Sequence, residues 1–319
     1  MVTDIPTPSE RYWLCPLYSF NCYSESVALA EGIQIKRAPD ELRKYIAGRT
    51  YHLYGRWDDP SEFDWAAFLP YRAEVVGESE DMGIEEKIRE NARRGFEEAN
   101  RASDLLVGLI TALRLCHKGG VVAGPLEFTA IDKSGWHIGG HTVWTLISKR
   151  DFLHKEPKYI LHQSDFFHIT ELIKNLNHLR AKKEPDNLSI ALRRFNSAYH
   201  GELEDRLIDQ MIAFESLYIA DDKELGYKLR LRTAFFLGKK RAKVFSDMKK
   251  AYDLRGQIMH GNKQVDRSKL EETIPKTEEY LRQSIRRFLS LSTQYSITEI
   301  RKQLDENILK NGKPLALKD

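Results

Sequence analysis

Between Phe166 and Asn311 the apolar residues recur at three- and four-residue intervals, and only short polar or glycine-bearing breaks interrupt them. That periodicity is the signature of amphipathic helices. It predicts helices at Phe166 to Lys183, Leu188 to Tyr199, Glu202 to Ile219, Glu224 to Leu237, Lys239 to His260, Asp266 to Ser292 and Thr298 to Asn311. The breaks include Glu184-Pro185-Asp186, His200-Gly201, Ala220-Asp221-Asp222, Gly238 and Gly261-Asn262. Connections this short favour antiparallel neighbours, hence an up-and-down bundle. Pro275 is expected to kink or restart the helix that begins after Asp266.

The N-terminal half reads differently. From Leu17 to Lys36 the chain alternates and is rich in aromatic and β-branched residues, which argues for strands. A short helix from Glu41 to Ala47 follows, closed by Gly48. Further strands are expected at Tyr71 to Val76, Val121 to Ile131 and Thr142 to Ser148, with a long helix from Ile84 to His117. A chain of 319 residues accommodates two cores of ordinary size. The expected organisation is α+β overall: a mixed α and β domain over residues 1–164, an all-α bundle over 165–295, and a C-terminal helix and tail over 296–319.

Apolar residues at 41% and charged residues at 30% describe a globular chain. Its three cysteines, Cys15, Cys22 and Cys116, lack the paired spacing of a zinc site and read as reduced thiols. The N-terminus has neither the basic start nor the apolar segment of a signal peptide. The longest apolar-rich run, Leu105 to Leu113, is about half the ~20 residues needed to span a bilayer. The expectation is a cytoplasmic protein without a membrane partner.

Net charge is only +3, but it is unevenly spread: between Lys223 and Lys263 stand twelve Lys or Arg against three acids. Such a local excess attracts phosphates. Helical phase adds a second anomaly. Glu215 falls on the stripe Ile208, Met211, Ile212, Ile219; Arg232 on Leu225, Leu229, Phe236; and Arg255 on Val244, Met248, Ala251 and Ile258 or Met259. Three consecutive helices thus each place one charge on an apolar face. Arg and Glu are rarely buried unpaired, so pairing among Glu215, Arg232 and Arg255 is expected. It serves either as a register-fixing ion-pair network or as a polar pocket that substrate completes.

His260 lies five residues after Arg255, about 140° further round an ideal helix, and directly before Gly261-Asn262, a C-cap signal. An imidazole can take the proton from a ribose 2′-hydroxyl, and a guanidinium can bind phosphoryl oxygens as charge builds on them. Together these residue types suit RNA cleavage, for which DNA lacks the internal nucleophile.

Arg255 and His260 at the end of a helix in a basic bundle resemble the signature of the HEPN superfamily (higher eukaryotes and prokaryotes nucleotide-binding). The segments Asp205 to Leu217, Glu224 to Ala234, Tyr252-Asp-Leu-Arg255 and His260-Gly261 are similar in order and spacing to its Apea-like HEPN group, over about residues 190–295. The resemblance implies a helical bundle that forms a homodimer, joining two Arg and His pairs in one cleft. It implies a metal-independent ribonuclease of prokaryotic antiviral (anti-phage) defence, acting on tRNA or single-stranded RNA with no cofactor and no metal. Arg255 and His260 carry over as the catalytic pair, and Glu215, Arg232 and Tyr252 as supporting positions. Gly256 departs from the pattern, since active members usually carry a polar residue there. The resemblance also leaves room for a non-catalytic nucleic-acid or nucleotide-binding module. The residues alone admit a protein-interaction scaffold.

Other candidates are weaker. His137 and His141 flank Gly139-Gly140, which reads as a turn, so a structural loop is expected there rather than a metal site. Gly119-Gly120 likewise reads as a turn. Trp13, Trp57, Trp65, Trp136 and Trp144 all fall in the N-terminal half and read mostly as core. The N-terminal domain is expected to sense a trigger or select the substrate.

Overall fold

A computed structural model describes residues 10–44, 63–72, 83–132, 135–143, 157–181, 187–220, 223–261 and 265–310. The chain is α+β and divides into two compact units. Residues 111–118 and 171–310 belong to the second unit, and most of the rest to the first.

In the first unit, strands β1 (Glu10–Tyr18), β3 (Ser26–Ala28), β4 (Gln34–Arg37), β5 (Trp65–Pro70), β7 (Leu126–Asp132) and β8 (Gly135–Val143) form one antiparallel sheet. Its order is β3-β4-β5-β1-β7-β8, and β6 (Val122–Ala123) also pairs with β1. A separate parallel pair joins β2 (Phe20–Cys22) to β9 (Tyr159–Leu161). Central β1 is buried along most of its length, and Trp13 faces Leu69 on one side and Phe128 on the other in the strand register. Helix α1 (Ile84–Cys116) is tied to the end of β5 by Glu98, whose carboxylate accepts the Arg72 N–H at 3.0 Å and pairs with Arg101.

A strand runs at Trp65–Pro70; of the strand expected from Tyr71 to Val76, only Tyr71 and Arg72 are described and they follow that strand, while residues 73–76 fall outside the described residues. Trp-Ala-Ala-Phe-Leu is buried on both faces, so it shows no polar alternation to read. The strand expected from Val121 to Ile131 is broken at Gly124-Pro125 into β6 and β7, because proline has no N–H for the ladder. His137 and His141 sit in β8 rather than a loop. Thr129 pairs with Ile138 and Glu127 with Thr142, so Gly139-Gly140 lies in a bulge where three residues face one. The strand expected over Thr142 to Ser148 overlaps β8 only at its start, and residues 144–148, Trp57 and the end of the helix expected at Glu41 to Ala47 lie outside the described residues.

The second unit is helical: α2 (Phe166–Ala181) from Glu171 onward, α3 (Asn187–Ser197), α4 (Leu203–Tyr218), α5 (Leu225–Leu237), α6 (Arg241–His260), α7 (Arg267–Leu291) and α8 (Ile297–Leu309). An aromatic nucleus holds α4, α5 and α7 together. The Phe236 and Phe288 rings stack at 4.5 Å, and Tyr218 meets both edge-on at 5.6 and 5.4 Å. The buried Tyr218 hydroxyl donates to Ser284 at 2.7 Å, which satisfies its polar tip. Asp266 caps α7, and Ser296 with Glu299 forms a capping box at α8.

Pro275 does not break α7, which runs unbroken from Arg267 to Leu291. Both Pro275 and Glu271, whose carbonyl the missing N–H would have met, are solvent-exposed, so water can serve that carbonyl. Among the described residues no helix is long and apolar enough to cross a membrane.

Candidate functional site

Glu215 and Arg255 come together. Arg255 Nη2 lies 3.6 Å from Glu215 Oε2, with side chains 25% and 22% exposed. The fully buried face of α4 is Leu207, Met211, Phe214 and Tyr218, while Ile208, Ile212 and Ile219 are half-buried. Glu215 therefore stands at the margin of the core, on a stripe rotated slightly away from its centre. That position explains how a carboxylate is tolerated there.

The pair is loose. At 3.6 Å it is an ion pair beyond ordinary hydrogen-bond length. Glu215 Oε1 and Arg255 Nε are both buried and have no hydrogen-bond partner among the described residues. An unsatisfied buried polar atom costs about 1–3 kcal/mol. The fold thus holds a guanidinium and a carboxylate side by side, each with a hydrogen-bonding direction unused.

Tyr252 supports the arginine from one turn back, its ring centroid 5.8 Å from the guanidinium carbon. The tyrosine in turn presses on α5 at Gly226, where an added Cβ would stand 2.8 Å from a ring carbon. Only glycine lets the two helices approach so closely at that point.

Arg232 is not part of this pair. It is buried, its Nε and Nη2 donate to the two Asp305 oxygens at 2.8 Å each, and its Nη1 donates to the Tyr218 carbonyl at 2.5 Å. Arg301 of α8 donates to the Leu217 carbonyl at 2.8 Å and also to the Ser216 carbonyl. The two arginines therefore serve the last carbonyls of α4, which have no partners within their own helix. Burial and the neighbouring Arg232 push Arg301 down to about 10, so it stays charged at neutral pH. Sequence reasoning placed Arg232 on an apolar face but gave it the wrong partner. Asp305 lies in the segment set apart as a C-terminal helix and tail.

His260 is the last residue of α6 and is exposed. Gly261, at φ 61°, closes the helix in the left-handed conformation, its N–H reaching the Ile258 carbonyl at 3.3 Å. The five residues from Arg255 to His260 amount to about 7.5 Å of helix rise. At Gly256, between them, an added Cβ meets nothing within 4 Å. The glycine is not demanded by packing, and a polar side chain fits.

A second polar cluster in the same unit escaped the sequence reading. Glu278 of α7, almost wholly buried, accepts from the Tyr199 hydroxyl at 2.9 Å and Arg282 Nη2 at 2.5 Å, and pairs with Arg206 at 3.3 Å. Arg282 Nε donates to the Arg114 carbonyl at 2.8 Å, and the buried Arg114 guanidinium lies 4.3 Å over the Tyr199 ring and donates to Asn196 at 3.1 Å. Burial pushes Arg114 down to about 10, still far above neutrality. The phase rule applied to α7 would have found this cluster, because Glu278 and Arg282 share the face of Ile274, Leu281 and Ile285.

No protein-family model matches the chain, and neither a curated protein nor a solved structure does so.

Proposed function

We propose that the helical unit is a HEPN-like, metal-independent endoribonuclease, with Arg255 as phosphate clamp and His260 as general base and acid. The observation that carries this reading is the loose, half-exposed Arg255–Glu215 pair near the helix end that bears His260. The pair is longer than a hydrogen bond and leaves Arg255 Nε and Glu215 Oε1 without partners among the described residues. The Arg255 side chain is 25% exposed and can offer a phosphodiester two parallel N–H groups.

In the reaction, the His260 imidazole takes the 2′-hydroxyl proton and the 2′-oxygen bonds to phosphorus. The bond from phosphorus to the 5′-oxygen breaks, and that oxygen takes a proton from an imidazolium. The products are a 2′,3′-cyclic phosphate and a 5′-hydroxyl. Glu215 positions Arg255, and Tyr252 supports it. Arg232 acts on the fold through Asp305 rather than on RNA. A homodimer bringing two copies of Arg255 and His260 to one cleft would supply both the base and the acid. The reading extends to tRNA or single-stranded RNA as substrate and to prokaryotic anti-phage defence as the setting, both resting on the resemblance in Arg255, His260 and their flanking segments.

The test is direct. With EDTA present, the protein should cut labelled single-stranded RNA or tRNA to cyclic-phosphate ends, and His260→Ala should stop cutting while keeping the thermal midpoint. If His260→Ala cuts as the wild type does, the assignment is wrong. RNA bound but not cut would favour a binding module, a reading to which Gly256 lends weight because it supplies no side chain beside Arg255.

A further inference from the structure

Tyr227 on α5 is 49% exposed. It is not a stray side chain. Its ring stands edge-on to Phe245 of α6 at 6.0 Å, and the Arg230 guanidinium lies over both rings, 5.2 Å from the first and 4.6 Å from the second. Arg230 Nε is buried without a hydrogen-bond partner, and Arg230, Lys239 and Lys240 make no ion pair among the described residues. Nearby Lys243 and Lys249 are answered by Asp247 and Asp253 of their own helix. Arg230 thus stands at the exposed ring, while Lys239 and Lys240 follow the other end of α5, about 18 Å of helix rise away.

This cluster is continuous with the Arg255 site. Gly226, the neighbour of Tyr227, is the residue against which Tyr252 packs, and Tyr252 supports Arg255. On α6, Phe245, Tyr252 and Arg255 fall within an arc of about 80° and along about 15 Å of axis.

We propose that this face of α5 and α6 is a track for unpaired RNA leading to Arg255 and His260, in which Tyr227 stacks a base, Arg230 takes a phosphate beside it, and Lys239 and Lys240 take phosphates further along the strand. The proposal rests on the ribonuclease reading for where the strand leads. The chemistry selects a single strand: a ring with a cation beside it fits a polyanion with free base faces, and a duplex keeps its base faces stacked away. A lipid surface would ask for a contiguous apolar face, which one ring roofed by a guanidinium does not provide.

The probe is a fluorescent single-stranded RNA with 2′-O-methyl groups throughout, which lacks the nucleophile and cannot be cut. Tyr227→Ala should weaken its binding by at least about fivefold, and Tyr227→Phe should restore it. Binding of duplex RNA should be unchanged in Tyr227→Ala. The pair Lys239→Glu and Lys240→Glu should weaken binding and reduce its dependence on salt by about two ionic contacts. Single-strand binding unaffected by Tyr227→Ala, no binding by the wild type, or tighter binding to anionic vesicles than to RNA would each overturn the proposal. The two readings fail separately. If nothing is cut but Tyr227→Ala still loses the single strand, the ribonuclease falls and the track stands. If RNA is cut and Tyr227→Ala binds and cuts as wild type, the track falls and the ribonuclease stands.

Discussion

Arg232 makes three hydrogen bonds, two to Asp305 and one to the Tyr218 carbonyl, whereas Arg255 has one ion-pair contact at 3.6 Å and an unused Nε. Hydrogen bonds to charged groups contribute about 1.5–3 kcal/mol, and a half-exposed ion pair typically less than about 1 kcal/mol. Arg232→Ala should therefore lower the urea-unfolding free energy by about 1.5–3 kcal/mol. Glu215→Gln should change it by less than about 1 kcal/mol while reducing RNA cleavage. Equal losses of stability from the two substitutions would make the Glu215–Arg255 pair a fold staple. At this scale the sequence was half legible. Helical phase marked Glu215, Arg232 and Arg255 as anomalous, but phase gives only direction within one helix. Which partner each charge meets depends on how helices distant in sequence pack, and Asp305 lies 73 residues from Arg232.

Among the elements, the helices from α2 to α8 fall within a few residues of where apolar spacing and the short breaks between them put them. Strands β1 and β5 were poorly legible. Both are buried on two faces, so Leu14, Cys15 and Leu17, or Ala66, Ala67 and Phe68, present no alternation. Pro275 misled in another way, since a breaker acts strongly only where the freed carbonyl is denied water. It still costs helix energy: relative to alanine, proline is about 3 kcal/mol less favourable in a helix interior, and its stiffness in the unfolded chain returns at most about 1 kcal/mol. Pro275→Ala, at an exposed position, should raise the stability of the helical unit by about 2 kcal/mol in thermal or urea melts. Unchanged or lower stability would show that the helix is relieved at Pro275 in some further way.

The whole molecule carries two cores of different construction, one an antiparallel sheet with an aromatic interior, the other helices around an aromatic nucleus and a buried charge cluster. Chains with two cores commonly depart from a single all-or-none transition. The Glu278 carboxylate is the buried counter-charge for Arg206 and Arg282, and breaking a buried pair from one side costs about 3–5 kcal/mol. In calorimetry, Glu278→Gln should lower the transition of the helical unit and leave the other in place. A single transition moving as one would mean that the two cores unfold together. The near-neutral net charge of +3 conceals this division of labour, since the excess of basic residues lies in α5 and α6. A whole-chain average cannot reveal a localised field, while a window of forty residues does.

The contact between Gly226 and Tyr252 has a historical consequence. With the ring in place, any side chain at 226 collides at 2.8 Å, whereas trimming Tyr252 first opens the space that a side chain at 226 would need. The order of change is thus constrained: a side chain at 226 is accommodated readily once the tyrosine is gone, and requires the ring to move if it comes first. An alignment of descendants should contain chains with glycine at 226 opposite a small residue at 252, and should lack chains with a bulky residue at 226 opposite tyrosine.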